Sequence, residues 1–416
     1  MTNPTVNPKV PLAYGSGTHT AHATANSIAA SFATSIAASR SRIAVIDVLR
    51  GLVMLIMLFD HVRETIYLHM QVSDPMDVAS TEPALFFSRL AAHFCAPMFV
   101  FLTGLSAWLY ANPSSGAPRS ATGFLVKRGL LLVVLEWTLV TFAWSGQFPP
   151  STIYLQVIWV IGLAMIVLAL LHRQPRWLLA AIGLSIVFGH NLLTSISFEP
   201  GSVSYFLWTL FLHRGYLVAD GWVKIKVTYP LLPWIGVILL GYVAGPLYAQ
   251  TVAAARRKRL LLSVGISCLL LLGLLRGFNI YGETLPWAHG EDFVHTLMSW
   301  LNFTKYPPSL SFLLLTLGVG LVLLAWFEAI DNWFTRVCAT FGGAPMFYYL
   351  LHLYVLLILQ HLLVAIFGAN HGVRFGVDHF WIVWPTAFAL MPLLYFPCRA
   401  FARFKRVSTQ KWVRYF

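Results

Sequence analysis

The segment RIAVIDVLRGLVMLIMLFDHVR, residues 42 to 63, is long and apolar enough to cross a hydrocarbon layer as a helix, yet it carries Asp47, Arg50, Asp60 and His61. A charge near the middle of a bilayer costs at least about 2.5–3.5 kcal/mol, so ionisable residues inside such a span are functional candidates by default. Arg50 and His61 are eleven residues apart. At 3.6 residues per turn that is about three turns, so both project from one face, roughly 16 Å apart along the axis. Asp47 stands one turn before Arg50 on that face. A plainer reading keeps Asp47 and Arg50 as an i,i+3 ion pair and His61 as a polar contact between helices.

The rest of the chain has the same character. Of its 416 residues 58% are hydrophobic and 10% charged, and the mean hydropathy is +0.72. Soluble chains carry about 25% charged residues, so an ordinary soluble domain is excluded. Apolar stretches recur near 85–110, 125–145, 152–171, 176–193, 230–249, 260–277, 310–328, 346–367 and 380–398. With the first span, about 43 to 61, they predict an all-α polytopic membrane protein, a bundle of about ten transmembrane helices. Residues 1–41, rich in Ala, Ser and Thr and free of acids, read as a disordered cytoplasmic tail. Residues 42–403 form the transmembrane domain, and 404–416 a basic cytoplasmic tail.

The net charge of +13 does not point to nucleic acid, because the basic residues fall where membrane anchors are expected. Arg40 and Arg42 precede the first span, and Arg119, Lys127 and Arg128 flank the second loop. Arg173 and Arg176 mark the fourth loop, Arg256 to Arg259 the sixth, and Arg399 to Arg414 the C-terminal end. All lie on one side when the chain zigzags, which predicts that both termini are cytoplasmic. The opposite loops collect Glu64, Asp74, Asp77, Glu82, Glu283, Glu291 and Asp292. Two of them, about 194–229 and 278–309, are long and aromatic-rich, and loops of that length are usually functional or partly re-entrant.

The second span, LFFSRLAAHFCAPMFVFLTGLSAW (85–108), places Arg89, His93 and Pro97 at successive i+4 positions. Its direction brings His93 toward the level of His61, so the two could share a cavity, although a lone transmembrane His is commonly a hydrogen-bond partner between helices. Glu136 is an isolated acid that could pair with Arg50 or a His. Tyr349 and His352, at i,i+3 in GAPMFYYLLHLYVLL (343–357), are weaker signals near the inner end of the ninth span, and His361 reads as packing. In NFTKYPPSL (302–310), Lys305 and Tyr306 are substrate-binding candidates. Cys95, Cys268, Cys338 and Cys398 show neither CxxC nor clustering with His, so no metal is expected. No nucleophile elbow, Walker A motif or dinucleotide fingerprint occurs.

Ile46-Asp47-Val48-Leu49-Arg50-Gly51, with ten residues between Arg50 and His61, resembles the LDxLRG start and Arg-x10-His motif of membrane acyltransferase family 3. APMFVFLTG (96–104) and the layout of the first three spans resemble the heparan-α-glucosaminide N-acetyltransferase catalytic-domain family. KYPPSL and YYLLH resemble its bacterial members, and the likeness is strongest over 42–145. The resemblance implies a bundle of about ten helices that passes acetyl from cytoplasmic acetyl-CoA to a sugar amine or hydroxyl on the far side, in a bacterial cytoplasmic membrane. The lysosomal members have Asn where this chain has His61, with their catalytic His later in the first loop, before a WNG segment that this chain lacks. His61, His93 or His69 therefore stands as the base.

Acyl transfer from a thioester needs a base and donors for the oxyanion. The expectation is that His61 or His93, with Asp60 beside the former, is catalytic. Arg50, held by Asp47, and Arg128 would bind the acyl-CoA donor. The expected partners are acyl-CoA, a carbohydrate or lipid-linked sugar acceptor and membrane lipids, with no nucleic acid; such a bundle also allows a homodimer. A proton-coupled transporter or a non-catalytic membrane sensor would use the same intramembrane Asp, Arg and His. The lack of an internal repeat weighs against the transporter.

Overall fold

The computed structural model describes residues 44–67 and 72–416, so the tail expected over 1–41 lies outside the described residues. Helix α1 covers 44–66 and is followed by α2 (Pro83–Ala92), α3 (Cys95–Ala111) and α4 (Thr122–Leu135). A π turn, Glu136–Val140, joins α4 to α5 (Thr141–Ser145). Next come strand β1 (Thr152–Leu155), α6 (Val157–Leu171), α7 (Arg176–Gly189), α8 (Val203–Phe211), β2 (Gly215–Val218) and β3 (Lys224–Val227). The second half holds α9 (Leu231–Ala244), α10 (Ala254–Gly277), α11 (Phe293–Leu301), α12 (Leu310–Phe327), α13 (Trp333–Gly342), α14 (Pro345–Phe367) and α15 (Val383–Val407).

Among the described residues, seven helical stretches are long and apolar enough to cross a membrane. The other three expected spans are helical too: α1 and the α4–α5 run carry several charges, and α6 has only 15 residues. The expected fourth span is corrected at its start. Residues 152–155 form β1, which pairs parallel with β3, while β2 pairs antiparallel with β3. α15 continues past residue 404 to Val407, and a short 3-10 turn, Lys411–Tyr415, follows.

Local chemistry sets the breaks. Pro97 has no N–H to give to the carbonyl one turn back, and the second span parts at His93 and Phe94 into α2 and α3. Gly146, at φ 65°, ends α5 in the left-handed conformation. Ser309 caps α12 by accepting the Phe312 N–H at 3.0 Å, and Asn332 with Thr335 makes a capping box on α13.

Composition does not distinguish inner helices from lipid-facing ones, because lipid tails are as apolar as Leu. The bundle buries 72% of the most apolar window in Pro83–Ala111 and in Leu310–Phe327, against 22% in Ala254–Gly277 and 17% in Pro345–Phe367. Two of the crossings that need glycine involve the first spans. A Cβ at Gly104 would strike the Ile238 carbonyl oxygen and one at Gly241 the Phe101 carbonyl oxygen, so α3 and α9 meet backbone to backbone. Likewise a Cβ at Gly51 would meet the Cys338 carbonyl oxygen and one at Gly342 the Asp47 carbonyl oxygen, which seats α13 against α1 beside Arg50.

Gly51→Ala is expected to destabilise the purified protein by about 1–3 kcal/mol through this backbone clash. Gly123→Ala, whose added Cβ meets nothing within 4 Å, serves as the neutral control. Thermal unfolding in detergent measures both, and equal melting temperatures would remove the packing argument for Gly51.

Candidate active site

The largest described cavity, of about 710 Å³, opens at the end of the bundle that carries the basic loops. Five of its liners are cationic, Arg50, Arg128, Arg336, Lys405 and Arg406, against one carboxylate, Asp47. α1 and α4 contribute Arg50 and Arg128 from their early turns, α13 contributes Arg336, and the last turn of α15 contributes Lys405 and Arg406. Farther in, the wall becomes apolar, with Met57, Phe99, Leu132 and Ile161, and it includes Tyr349. Arg50 is held on several sides: it donates to Asp47 Oδ1 at 2.7 Å, to Ser106 Oγ at 3.0 Å and to the Gly342 carbonyl at 3.4 Å. Arg128 lies 5.9 Å over the Phe124 ring, and its Nε has no hydrogen-bond partner among the described residues. Such a cavity, with fixed guanidinium donors outside and an apolar interior, suits a polyanionic ligand with a less polar arm.

Two smaller cavities lie toward the opposite end. One, of about 240 Å³, is lined by Trp144, Tyr154, Gln147, Thr141, Glu136 and Arg374; the other, of about 310 Å³, by Tyr306, Arg214, His213, Asp74 and Asn191. The Tyr306 hydroxyl is 3.2 Å from that of Tyr229, and the Arg214 guanidinium stacks 5.0 Å from the Tyr306 ring. Asp74 accepts the backbone N–H groups of Lys305 and Tyr306, tying the first loop to the 302–310 segment. Arg276 fixes the same region by donating to the carbonyls of Leu285, Ser299, Trp300 and Asn302.

His61 lines neither the large cavity nor the 240 Å³ cavity but packs against a lining residue of each. Its ring is 6.5 Å from that of Tyr349, which lines the first, and 5.0 Å from that of Trp144, which lines the second. α1 continues for five residues beyond His61, so the residue lies inside the helix and not at its outer end as the span boundaries suggested. His61 Nδ1 is 2.7 Å from Nε2 of His352, and the two rings lie edge to edge, within 16° of parallel, with centroids 5.0 Å apart. His352 is fully buried two turns into α14, and its Nδ1 is 2.9 Å from the Tyr348 carbonyl oxygen.

The other candidates are distributed differently. Asp60 is engaged away from His61, accepting from Arg63 Nε at 2.9 Å and from Arg89 Nη1 at 2.7 Å. Glu64 and the buried Lys305 complete this charged cluster, and Lys305 is close enough to interact electrostatically with Asp60, His61 and His93. His93 packs on Phe312 with centroids 5.2 Å apart and, like His61, lines none of the three cavities itself. His69 lies outside the described residues. Glu136 pairs with neither Arg50 nor a His. Its Oε2 accepts the Trp159 N–H at 2.9 Å, so the carboxylate caps the first turn of α6, where the helix dipole favours negative charge. Asn302, part of a glycosylation-like triplet, is buried and spends its amide on both backbone groups of Met76.

Asp60→Ala is expected to cost about 3–5 kcal/mol of stability, because it leaves Arg63 and Arg89 buried without their carboxylate. Asp331→Ala breaks an ion pair whose side chains are 71% and 81% exposed, and it should change stability by less than about 1 kcal/mol. Thermal unfolding of the two variants side by side tests the difference, and a matched, small effect would mean that the Asp60 cluster is solvated in the folded protein.

No curated protein matches the sequence. The profile of one protein family, described as heparan-alpha-glucosaminide N-acetyltransferase, catalytic, matches residues 42–275, which is more than half of the chain and includes α1, both glycine crossings' α1 and α3 sides, and four of the large cavity's walls. This multi-pass membrane protein therefore belongs to the heparan-alpha-glucosaminide N-acetyltransferase catalytic-domain family, whose chemistry is acetyl transfer to sugar amines.

Proposed function

We propose that the protein takes an acetyl group from acetyl-CoA held in the 710 Å³ cavity at its cytoplasmic face and passes it to a sugar amine or hydroxyl arriving from the other side. The observation that carries this reading is the place of His61, in ring contact with one wall of each of two cavities that lie toward opposite ends of the bundle. In this scheme Arg128, Arg336, Lys405 and Arg406 face the donor's phosphates. Arg50, anchored by Asp47 and Ser106, directs its remaining donors toward the pantetheine arm or the thioester carbonyl. His61 removes the acceptor's proton as its nitrogen or oxygen attacks the thioester carbon, and it returns that proton to the departing CoA sulfur. Lys305 and Tyr306 stand on the acceptor side, the first next to the charged cluster beside His61 and the second in the 310 Å³ cavity. A carbohydrate or lipid-linked sugar suits the polar and aromatic lining of the two outer cavities. The phrases shared with bacterial members point to the bacterial cytoplasmic membrane, where the basic loops would face the acetyl-CoA pool.

His61→Ala is expected to lower kcat by about 100-fold or more in an acetyl-transfer assay, with little change in the affinity for CoA. Arg50→Lys keeps the charge but loses the fixed fork of donors, and it should weaken CoA binding measured by calorimetry. Retained turnover in the first variant would remove His61 as the base, and unchanged binding in the second would leave Arg50 as a partner of Asp47 alone.

Sidedness has its own test. Sealed inverted vesicles receive labelled acetyl-CoA outside, at the exposed cytoplasmic face, and hold glucosamine coupled to an impermeant dextran inside. Label is expected on the trapped acceptor, and transfer that occurs only when donor and acceptor share one side would defeat the cross-membrane scheme.

A further inference from the structure

We infer that His352 is a positioning residue that fixes which nitrogen of His61 carries the proton; the inference rests on His61 being the base. A carbonyl oxygen can only accept, so the 2.9 Å contact between His352 Nδ1 and the Tyr348 carbonyl requires a hydrogen on that nitrogen. In a neutral imidazole the other nitrogen then carries a lone pair. His352 Nε2 is therefore an acceptor, and the group it faces at 2.7 Å, His61 Nδ1, must be the donor. The His61 ring is left with its lone pair on Nε2, the atom not used in the pair and the one able to take a proton from an acceptor.

The surroundings reinforce this order. His352 is stacked on the Tyr348 ring at 5.0 Å and meets the Tyr349 ring edge-on at 5.5 Å, which leaves its ring no freedom to turn over. No carboxylate competes for His61 Nδ1. Asp60, its chain neighbour, is bonded through one oxygen to Arg63 and through the other to Arg89. The other charged groups that act on His61, Lys305, Arg63 and Arg89, are all cationic and cannot accept its N–H. The chain from the Tyr348 carbonyl through His352 to His61 thus takes the part that an orienting carboxylate plays in a catalytic triad, but uses a neutral acceptor. A neutral orienter adds no further buried negative charge beside a site built to receive a polyanionic donor.

The test reads the tautomer directly and then the rate. In full-length protein labelled with 15N-histidine and held in nanodiscs, the His61 signals are identified by their loss in His61→Ala. The expected pattern is a protonated Nδ1 and an unprotonated Nε2; a protonated Nε2 in the unmodified protein overturns the inference whatever the activity. Among variants, His352→Gln keeps an acceptor oxygen on the same side chain and should retain kcat within about threefold. His352→Leu keeps the bulk without an acceptor and should lose at least about 10-fold in kcat at constant KM for acetyl-CoA, within the 10²-fold scale of general-base catalysis. Adding His352→Leu to His61→Ala should cost nothing further, because residues that act as a unit are non-additive. Equal rates for the Leu variant and the unmodified protein overturn the positioning role. If His61→Ala retains turnover, it is the proposed base that fails, and the tautomer spectrum still decides the pairing.

Discussion

A polar or charged group carried into a hydrocarbon layer has to find its partner inside the protein or in a cavity, since no water waits on the lipid side. The arrangement of this bundle follows from how each such group meets that demand. Asp60 is neutralised between Arg63 and Arg89, which locks α1 to α2. Arg257 finds Glu328, which locks α10 to the end of α12. Glu136 takes the open N–H groups at the start of α6. Arg50 and Arg128 differ, because Asp47 and Ser106 satisfy only part of the Arg50 guanidinium, Arg128 Nε has no hydrogen-bond partner among the described residues, and both line the 710 Å³ cavity. A cation left partly unpaired beside such a volume is where an anionic ligand gains most.

Much of this was legible from sequence, and the legible part is local. The i,i+3 relation of Asp47 and Arg50 survives as a 2.7 Å ion pair because one helix turn delivers both ends of it. Each of the ten expected spans holds a helix, the fourth only from Val157 onward, since a chain crossing a membrane must satisfy its backbone internally. What could not be read lies in pairings between distant segments. His352 meets His61 across 291 positions, and only its spacing from Tyr349 hinted at a buried face. Glu136 meets Trp159 across 23 positions, through a backbone N–H that no side-chain pattern announces. Trp144, Arg336, Lys405 and Arg406 reach the cavities from helix ends where basic and aromatic residues are ordinary membrane anchors, so their second role left no separate trace.

The close approach of α13 to α1 links the binding wall to the fold. Gly51 follows Arg50 directly, and Gly342 offers its carbonyl to the Arg50 guanidinium while its Cα rests against the Asp47 backbone. A side chain at either glycine would push α13 outward and with it Arg336, which lines the same cavity. The Gly of the LRG segment is therefore tied to the cavity through backbone contact, and the Arg beside it through hydrogen bonds. Packing and ligand recognition share one joint.

The separation between the cavities bears on what can cross. Between Tyr349 on one side and Trp144 on the other stands His61, hydrogen-bonded to His352. A nucleotide with its phosphates is far too large and too charged to pass such a wall, whereas an acetyl group changing partners across an imidazole does not need to pass it as a free species. An open path would serve a transporter better, because its substrate must travel whole through the same space. In the proposed scheme the chemistry takes place at this wall, on the His61 lone pair, and not in an open passage. The donor in that scheme remains at the basic end throughout, and only the bond from the acetyl carbon to its carrier is exchanged.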